Sequence, residues 1–465
     1  MDFPGQRVLI VGMAASGMAA AEYLRRQGAR VVISDVRPAV ELRAQIEALL
    51  ATGVAFETGG HRERSFLDAE LIVVSPGVPA DLPLLRRARS LGIAVWGEVE
   101  LAARALRGTV VAITGANGKT TTTSLTGAIV AACGRRVQVG GNIGTPLVSL
   151  VESSTEETVN VIELSSFQLE TVEQFHAHIA CVLNLSPDHL DRHGSMEAYA
   201  AAKQRIFRNQ TGADYAVLNP NDLWCRQFCA AVTSQPVWFA PFPLQSQAGA
   251  CVRGGEVVWQ AQGRETPILP VSEIPLRGAH NLENVLAAVA MACLLAGDGV
   301  AAQAPAMRRA VAGFKAVEHR LEFVARLGGV EYFNDSKATN VDAAQKALEA
   351  FERGVWVILG GKDKGSDYTT LAPLLRERAR AVLLIGAASG KIAGQLAPFQ
   401  LPIERCGTLD QAVARAAAGA TPGDTVLLAP ACASFDQFQN YEHRGRVFKQ
   451  LVAALGAGRG AAVQP

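Results

Sequence analysis

Residues 112–122 read AITGANGKTTT. An apolar, β-branched run, Val110-Val111-Ala112-Ile113, leads into Thr114-Gly115-Ala116-Asn117-Gly118-Lys119-Thr120. Strand, glycine turn and helix start, in that order, are the setting of a phosphate-binding loop. The usual G-x-x-x-x-G-K-[ST] spacing is not met, because Ile113 stands where the first glycine would be. The spacing present is the shorter Gly115-x-x-Gly118-Lys119-Thr120. Glycines let the backbone N–H groups of such a loop turn inward, Lys119 sets a cation on the phosphates, and Thr120 can reach Mg²⁺. An ordinary glycine turn is the plainer reading, and the strand before and the helix after weigh against it.

Two other stretches begin the same way. RVLIVGMAASGMAAAEYLRRQGARVVISD (7–35) reads as strand, glycine turn, helix, strand, and 71–79 continues the alternation until it fades near 105–108. GVEYFNDSKATN (329–340) opens a third series, with strands at 354–365, 381–390 and 424–435. Within the middle series, strands are predicted at 159–166 and 179–187, and helices over about 195–207 and 282–296. The polar patch 245–264 reads as an insertion, and the small-residue tail after about 456 as loose. The coarse fold is three consecutive α/β domains with mostly parallel sheets.

A chain of 465 residues is too long for one core. Net charge is +1 with no Lys/Arg block, which argues against nucleic acid or an acidic membrane as partner. The first residues lack the order of a signal peptide, and no apolar stretch is expected to reach bilayer-spanning length. Eight scattered cysteines, without zinc or redox spacing, point to reduced thiols in the cytoplasm.

The first glycine turn, 12–17, has Ala14 where a dinucleotide fingerprint has its middle glycine, which disfavours NAD. Asp35 ends the second strand, where an acid would meet a ribose hydroxyl. Glu163 lies at the end of one predicted strand and His189 just past the next. A carboxylate and an imidazole near a phosphate loop are candidate Mg²⁺ ligands. His176 and His178 read as structural, and Lys203, on an Ala-rich helix, reads by default as a solvated surface charge. The loop 334–340 offers Asp335 for a ribose, Lys337 for a phosphate, and Thr339 and Asn340 for hydrogen bonds.

Together these residues resemble the Mur ligases of peptidoglycan precursor synthesis. T-G-A-N-G-K-T matches that family's short loop, and G-N-I-G (141–144), E-L-S-S-F-Q-L-E (163–170), D-H-L-D-R-H (188–193), H-N-x-x-N (280–284), H-R (319–320), F-N-D-S-K-A-T-N (333–340) and A-C-A-S-F-D-Q-F-x-N-Y-E-x-R-G (431–445) follow in family order. The last two are similar to the D-glutamate-adding branch. The resemblance implies a Rossmann-like N-terminal domain (1–107) for a UDP-linked substrate, a central P-loop-type ATPase domain (108–314) and a Rossmann-like C-terminal domain (315–465) for the amino acid. It implies a monomer that uses ATP to join D-glutamate to UDP-N-acetylmuramoyl-L-alanine through an acyl phosphate.

The roles it implies are specific. Gly115, Asn117, Gly118, Lys119, Thr120 and Thr121 would hold the ATP phosphates, with Asn281 and Asn284 at the adenine and Arg320 and Asp335 at phosphates and ribose. Thr120 and Glu163 would bind one Mg²⁺; His189 and a CO₂-derived carbamate on Lys203 would bind a second. Lys119, His189, Lys203 and Lys337 would be catalytic. Ser16, Gly17, Asp35 and Arg37 would take the UDP end, and Asn142 and Ser165 the muramoyl part. Thr339, Lys364, Ser434 and Tyr441, on a turn, would take D-glutamate. Lys362 is an alternative to Lys364, which is preferred for its spacing to Asp367-Tyr368. A folylpolyglutamate-type ligase is disfavoured by the UDP-type first domain. A non-catalytic nucleotide sensor is disfavoured by the second metal set.

Overall fold

The computed structural model describes residues 3–315 and 317–458. It holds three sheets, each with a glycine turn after a central strand. The first contains β1 (Arg7–Val11), β2 (Arg30–Asp35), β3 (Ala55–Thr58), β4 (Leu71–Val74) and β5 (Ala94–Gly97), in the order β3-β2-β1-β4-β5, all parallel. The chain leaves β1 between two neighbours that run off in opposite directions, the switch point at which such sheets open a ligand crevice.

The second sheet contains β6 (Thr109–Thr114), β7 (Val137–Gly141), β8 (Val159–Glu163), β9 (Ile179–Val182), β10 (Tyr215–Leu218), β11 (Gln235–Ala240), β12 (Gly249–Arg253), β13 (Glu256–Ala261) and β14 (Arg264–Pro270). Its order is β14-β13-β12-β11-β10-β9-β6-β8-β7. β6 lies between β8 and β9, so the loop after it again leaves at a switch point. β13 and β14 are antiparallel, and β12 and β13 meet at Gly254-Gly255, both with positive φ (60° and 82°), as a two-residue hairpin requires. The patch 245–264 is therefore more than a polar insertion: it extends the sheet.

The third sheet contains β15 (Glu322–Leu327), β16 (Val330–Asn334), β17 (Val355–Gly360), β18 (Ala379–Ile385), β19 (Ile403–Gly407) and β20 (Thr425–Leu428). It runs β15-β16-β20-β17-β18-β19, parallel except for β15. The chain packs as two compact units. One comprises Met1–Leu185, Ser195–Val271 and Val285–Val311, and carries the first two sheets. The other comprises Ser186–Gly194, Ser272–Asn284 and Ala312–Pro465. In the first unit, apolar residues of both sheets, from Val8 and Ile10 to Ala112 and Ile162, belong to one continuous core.

One expectation is corrected. The helical stretch Ala279–Ala312 is long and apolar enough, by length and composition, to cross a membrane, with mean hydropathy 2.0 over its most apolar window. It is apolar because it is a core element. Residues 285–293 are each no more than 3% exposed, so no face of that segment needs polar side chains. At the C-terminus the helix Tyr441–Gly458 runs past the point where a loose tail was expected, and the rest of that tail lies outside the described residues.

Candidate functional site

The phosphate loop lies in the first unit, between β6 and the helix Lys119–Ala132. Gly115 and Gly118 have φ of 156° and 84°, and a Cβ on Gly115 would come within 3.0 Å of Leu183 Cβ. Only glycine makes this bend cheaply. Lys119 Nζ donates to the Gly115 and Ala116 carbonyls, both at 2.9 Å, so the cation is folded over the loop. Thr120, at the second helical position, is buried. The register explains the missing glycine: β6 continues through a buried Ile113 to Thr114, whose hydroxyl donates to Leu164 O at 2.7 Å.

Glu163 ends β8, the strand beside β6, and is 1% exposed. Asn142 Nδ2 donates to its Oε1 at 2.9 Å, and Asn142 N–H donates to its carbonyl at 2.8 Å. The G-N-I-G loop therefore orients this carboxylate. Ser165 caps the short helix Ser166–Leu169, in a capping box closed by Gln168.

Lys203 departs from the default reading. Its side chain is 1% exposed, and Nζ donates to Gly115 O at 2.9 Å and Thr114 Oγ1 at 3.2 Å, 4.8 Å from the Tyr199 ring centre. It is a buried group at the phosphate loop, not a solvated surface charge. The helix Met196–Gln204 turns an otherwise alanine-rich face inward, and Lys203 is the polar end of that face.

At the first glycine turn a Cβ on Gly17 would lie 2.0 Å from Gly12 O and 2.7 Å from Ser75 Oγ, so that position is closed to any side chain. Ser16 is part-buried near the start of the helix Ala15–Arg26. Asp35 Oδ2 accepts from Met13 N at 2.8 Å and Arg37 Nη2 at 2.8 Å, while Oδ1 takes Arg37 Nε at 3.0 Å. Burial pushes the Asp35 carboxyl up, but Arg37 and the backbone N–H groups of Arg37 and Met13 outweigh it and hold it at about 2. Its first task is thus to brace the turn. His176 and His178 both hydrogen-bond Asp214, at 2.8 and 3.0 Å, in keeping with a structural role.

In the second unit, a cavity of about 610 Å³ is lined by Asn281, Arg320, Phe333, Arg277 and Lys315 among others. Asn284 Nδ2 donates to Asn281 Oδ1 at 3.1 Å, so the two asparagines form a pair. Arg320 Nε is buried and has no hydrogen-bond partner among the described residues. Burial pushes the Asp335 carboxyl up to about 6, against the pull of Arg320, the Leu321 N–H and Lys337. Lys337 Nζ lies 5.2 Å from the Tyr441 ring centre. Tyr441 opens the helix Tyr441–Gly458 rather than sitting on a turn, and its ring meets His319 edge-on at 6.2 Å. Thr339 is part-buried and Ser434 buried. Lys364 Nζ is 3.5 Å from Asp188 Oδ1, whereas Lys362 is exposed and joins Ala433 through its backbone. His189 has left-handed backbone (φ 54°) and stands 3.6 Å from Asp188 Oδ2.

The three stretches that carry these sites match, in order, the Mur ligase MurD-like N-terminal domain (residues 6–97), the Mur ligase middle domain (113–292) and the Mur ligase glutamate ligase domain (319–432). Over 98% of its length the chain is 55% identical to the UDP-N-acetylmuramoylalanine–D-glutamate ligase of Acidobacterium capsulatum, covering 97% of that protein. It is 53% identical to the protein of the same name from Koribacter versatilis, covering 98% of this chain and 99% of that one. The chain belongs to the Mur ligase family. Its fold is also that of the UDP-N-acetylmuramate-alanine ligase of Thermotoga maritima, with TM-score 0.60 at 18% identity, covering 97% of this chain and 99% of the other.

Two buried groups of this Mur ligase escaped the sequence reading. Arg444 is fully buried and donates to Ser336 O (2.8 Å), Ser336 Oγ (3.0 Å) and Cys432 O (3.2 Å), so it ties the loops 334–340 and 431–435 together. The arginine was visible in the Y-E-x-R-G motif, but Ser336 lies 108 residues away. Glu98 is the other, and nothing local marks it. Glu318, His319 and Glu322 place ligand atoms within 4.8 Å of one another. Their carboxylates are already engaged: Lys449 Nζ bonds Glu318 at 2.6 Å and Glu322 at 2.9 Å.

Proposed function

We propose that this enzyme is the D-glutamate-adding Mur ligase, acting in the cytoplasm on UDP-N-acetylmuramoyl-L-alanine, ATP and D-glutamate. The observation that carries the reading is the loop Gly115–Thr120 with Glu163 on the adjacent strand, in a chain that matches ligases of this name end to end. The donor set suits the reactants. Thr120 and Glu163 offer hard oxygen ligands, as Mg²⁺ prefers. The glycine bend would be filled by any Cβ, and the buried Arg320 Nε offers a donor to a phosphate.

A carboxylate is a poor acyl donor, because its oxygen is not a leaving group. Moving the γ-phosphoryl group onto the substrate carboxylate gives an acyl phosphate and ADP. The neutral amine of D-glutamate attacks the acyl carbon, the tetrahedral intermediate collapses, and inorganic phosphate leaves as the amide forms. Bound Mg²⁺ supplies charge neutralisation on the phosphate oxygens. The chain's own residues position and neutralise. Lys119 leaves its carbonyl partners for the β/γ-phosphates. Asn142 keeps Glu163 oriented. Arg320, Lys337 and Asp335 serve the ATP phosphates and ribose, and Asn281 and Asn284 the adenine. In the first domain Ser16, Gly17, Asp35 and Arg37 take the UDP end, with Asn142 and Ser165 at the muramoyl part. Lys364, Thr339, Ser434 and Tyr441 take D-glutamate.

A second Mg²⁺ held by His189 and by Lys203 as its carbamate is part of the same proposal. The burial of Lys203 against Gly115 O supports it, because a carbamate there would place two oxygens at the phosphate loop. The test is ATP-dependent incorporation of labelled amino acids into UDP-N-acetylmuramoyl-L-alanine. D-glutamate is expected to be used far better than L-glutamate, lysine or diaminopimelate. Preference for any of the others would overturn the assignment.

A further inference from the structure

Glu98 follows β5 directly and begins the helix Glu98–Ala103. Its side chain is 1% exposed. Oε1 accepts from Val148 N at 2.7 Å, and the Leu147 N–H bonds to the same carboxylate. These two N–H groups open the 3₁₀ turn Leu147–Leu150, whose first donors have no partner within the turn. A carboxylate that follows β5 of the first sheet therefore caps the turn between β7 and β8 of the second. Oε2 is buried and has no hydrogen-bond partner among the described residues, and Glu98 lines a void of about 10 Å³ with Ser75, Gly97, Gln168 and Thr171.

What the cap holds matters for the site. Immediately upstream of Leu147 is the loop 141–146, which carries Asn142. At its start Gly141 N–H bonds Thr145 O at 2.8 Å, and Asn142 bonds Glu163 through both backbone and side chain. The loop thus has two anchors, Glu163 at one end and Glu98 at the other. Ser75, on the wall of the void, donates to Gly12 O at 2.9 Å, so the first glycine turn abuts the same seam. A buried carboxylate with an unpartnered oxygen is an unfavourable way to cap a turn if stability alone is served. Charge-assisted hydrogen bonds, about twice as strong as neutral ones, do fix geometry.

We infer that Glu98 is a positioning residue for the ligation: it holds the loop 141–146 so that Asn142 keeps the Glu163 carboxylate aimed at the cation of the phosphate loop. The inference rests on the proposed function only in taking Glu163 as a ligand of that cation.

The test uses Glu98→Gln in the full-length enzyme. Gln keeps the shape and an accepting oxygen but gives up the charge. Mn²⁺ binding in the presence of a non-hydrolysable ATP analogue is followed by electron paramagnetic resonance at about pH 8.5, alongside the Mg²⁺ dependence of the ligation rate. Both the Mn²⁺ dissociation constant and the half-saturating Mg²⁺ concentration are expected to rise about tenfold, the scale seen when partners behind metal ligands are lost. KM for D-glutamate is expected to stay within about twofold, since that substrate's groups lie in other loops. Thermal stability is expected not to fall, which separates positioning from a structural role. If Glu98→Gln does not fold, Glu98→Asp, which keeps the charge but is one methylene short of the two N–H groups, is read instead and should move Mn²⁺ affinity in the same direction. Unchanged Mn²⁺ affinity in a folded variant would overturn the inference. Failure of the wild-type enzyme to ligate D-glutamate, with the Mn²⁺ shift intact, would overturn the functional reading and leave the inference standing.

Discussion

Replacing Glu98 by Gln is expected to stabilise the protein at pH 8.5 and to do so much less at pH 4.5. The carboxyl is 1% exposed, and burial pushes it from 4.5 up to about 7, against the pull of the Val148 and Leu147 N–H groups. A folded-state value above the unfolded one means that the folded chain holds the proton more tightly. That contribution is complete below about pH 4.5 and is lost as the pH rises through about 7. The loss is about 2.5 units at 1.36 kcal/mol each, or about 3 kcal/mol by pH 8.5. Gln has no proton to lose and escapes it. Its neutral oxygen caps Leu147 and Val148 less strongly, which returns about 1 kcal/mol. The net gain of about 2 kcal/mol corresponds to about 3 °C in Tm for a cooperative unit of roughly 290 residues, at about 2.1 cal/mol/K of unfolding entropy per residue. Differential scanning calorimetry of both proteins at the two pH values reads it directly. An equal Tm difference at both pH values, or a Gln variant less stable than wild type at pH 8.5, would refute the reasoning.

Lys203→Ala is expected to lose at least about a hundredfold in kcat, and added acetate to restore part of it; Lys203→Arg should be as damaging, because a guanidinium cannot be carbamylated, so a fully active Arg variant in a steady-state assay would sink the metal-ligand role. Lys364→Ala is expected to raise KM for D-glutamate about tenfold or more, and Lys362→Ala to leave it nearly unchanged, since only Lys364 is part-buried and paired to a carboxylate in its own unit; the reverse pattern in initial-rate measurements would exchange their roles. Arg444→Ala is expected to cost about 3 kcal/mol or more, because it leaves the Ser336 and Cys432 carbonyls buried and unpaired. Urea denaturation showing less than about 1 kcal/mol would mean that those loops hold without it.

Much of this protein could be read along the chain. The three glycine turns, the phosphate loop and the strand-end positions of Glu163 and Asp335 are local features. A strand, a bend that only glycine permits and a helix start lie within a dozen residues of one another, and backbone sterics fix that pattern whatever packs around it. The motifs in family order carried the activity for the same reason, since each is a short run whose chemistry travels with its own turn. Tertiary packing decided what was not local. Lys203 looked like a surface charge because an alanine-rich helix gives no sign of which face turns inward, and only the loop 88 residues upstream, at Gly115, makes it a buried group. The patch 245–264 became sheet because β11 offered an edge to pair with. Glu98 has no signature in its own segment, and the motif that holds Arg444 does not show that the arginine is buried. Glu98 meets Val148 50 residues away and Arg444 meets Ser336 108 residues away, and a buried charge is defined by the donors and acceptors that surround it, which exist only once the chain has folded.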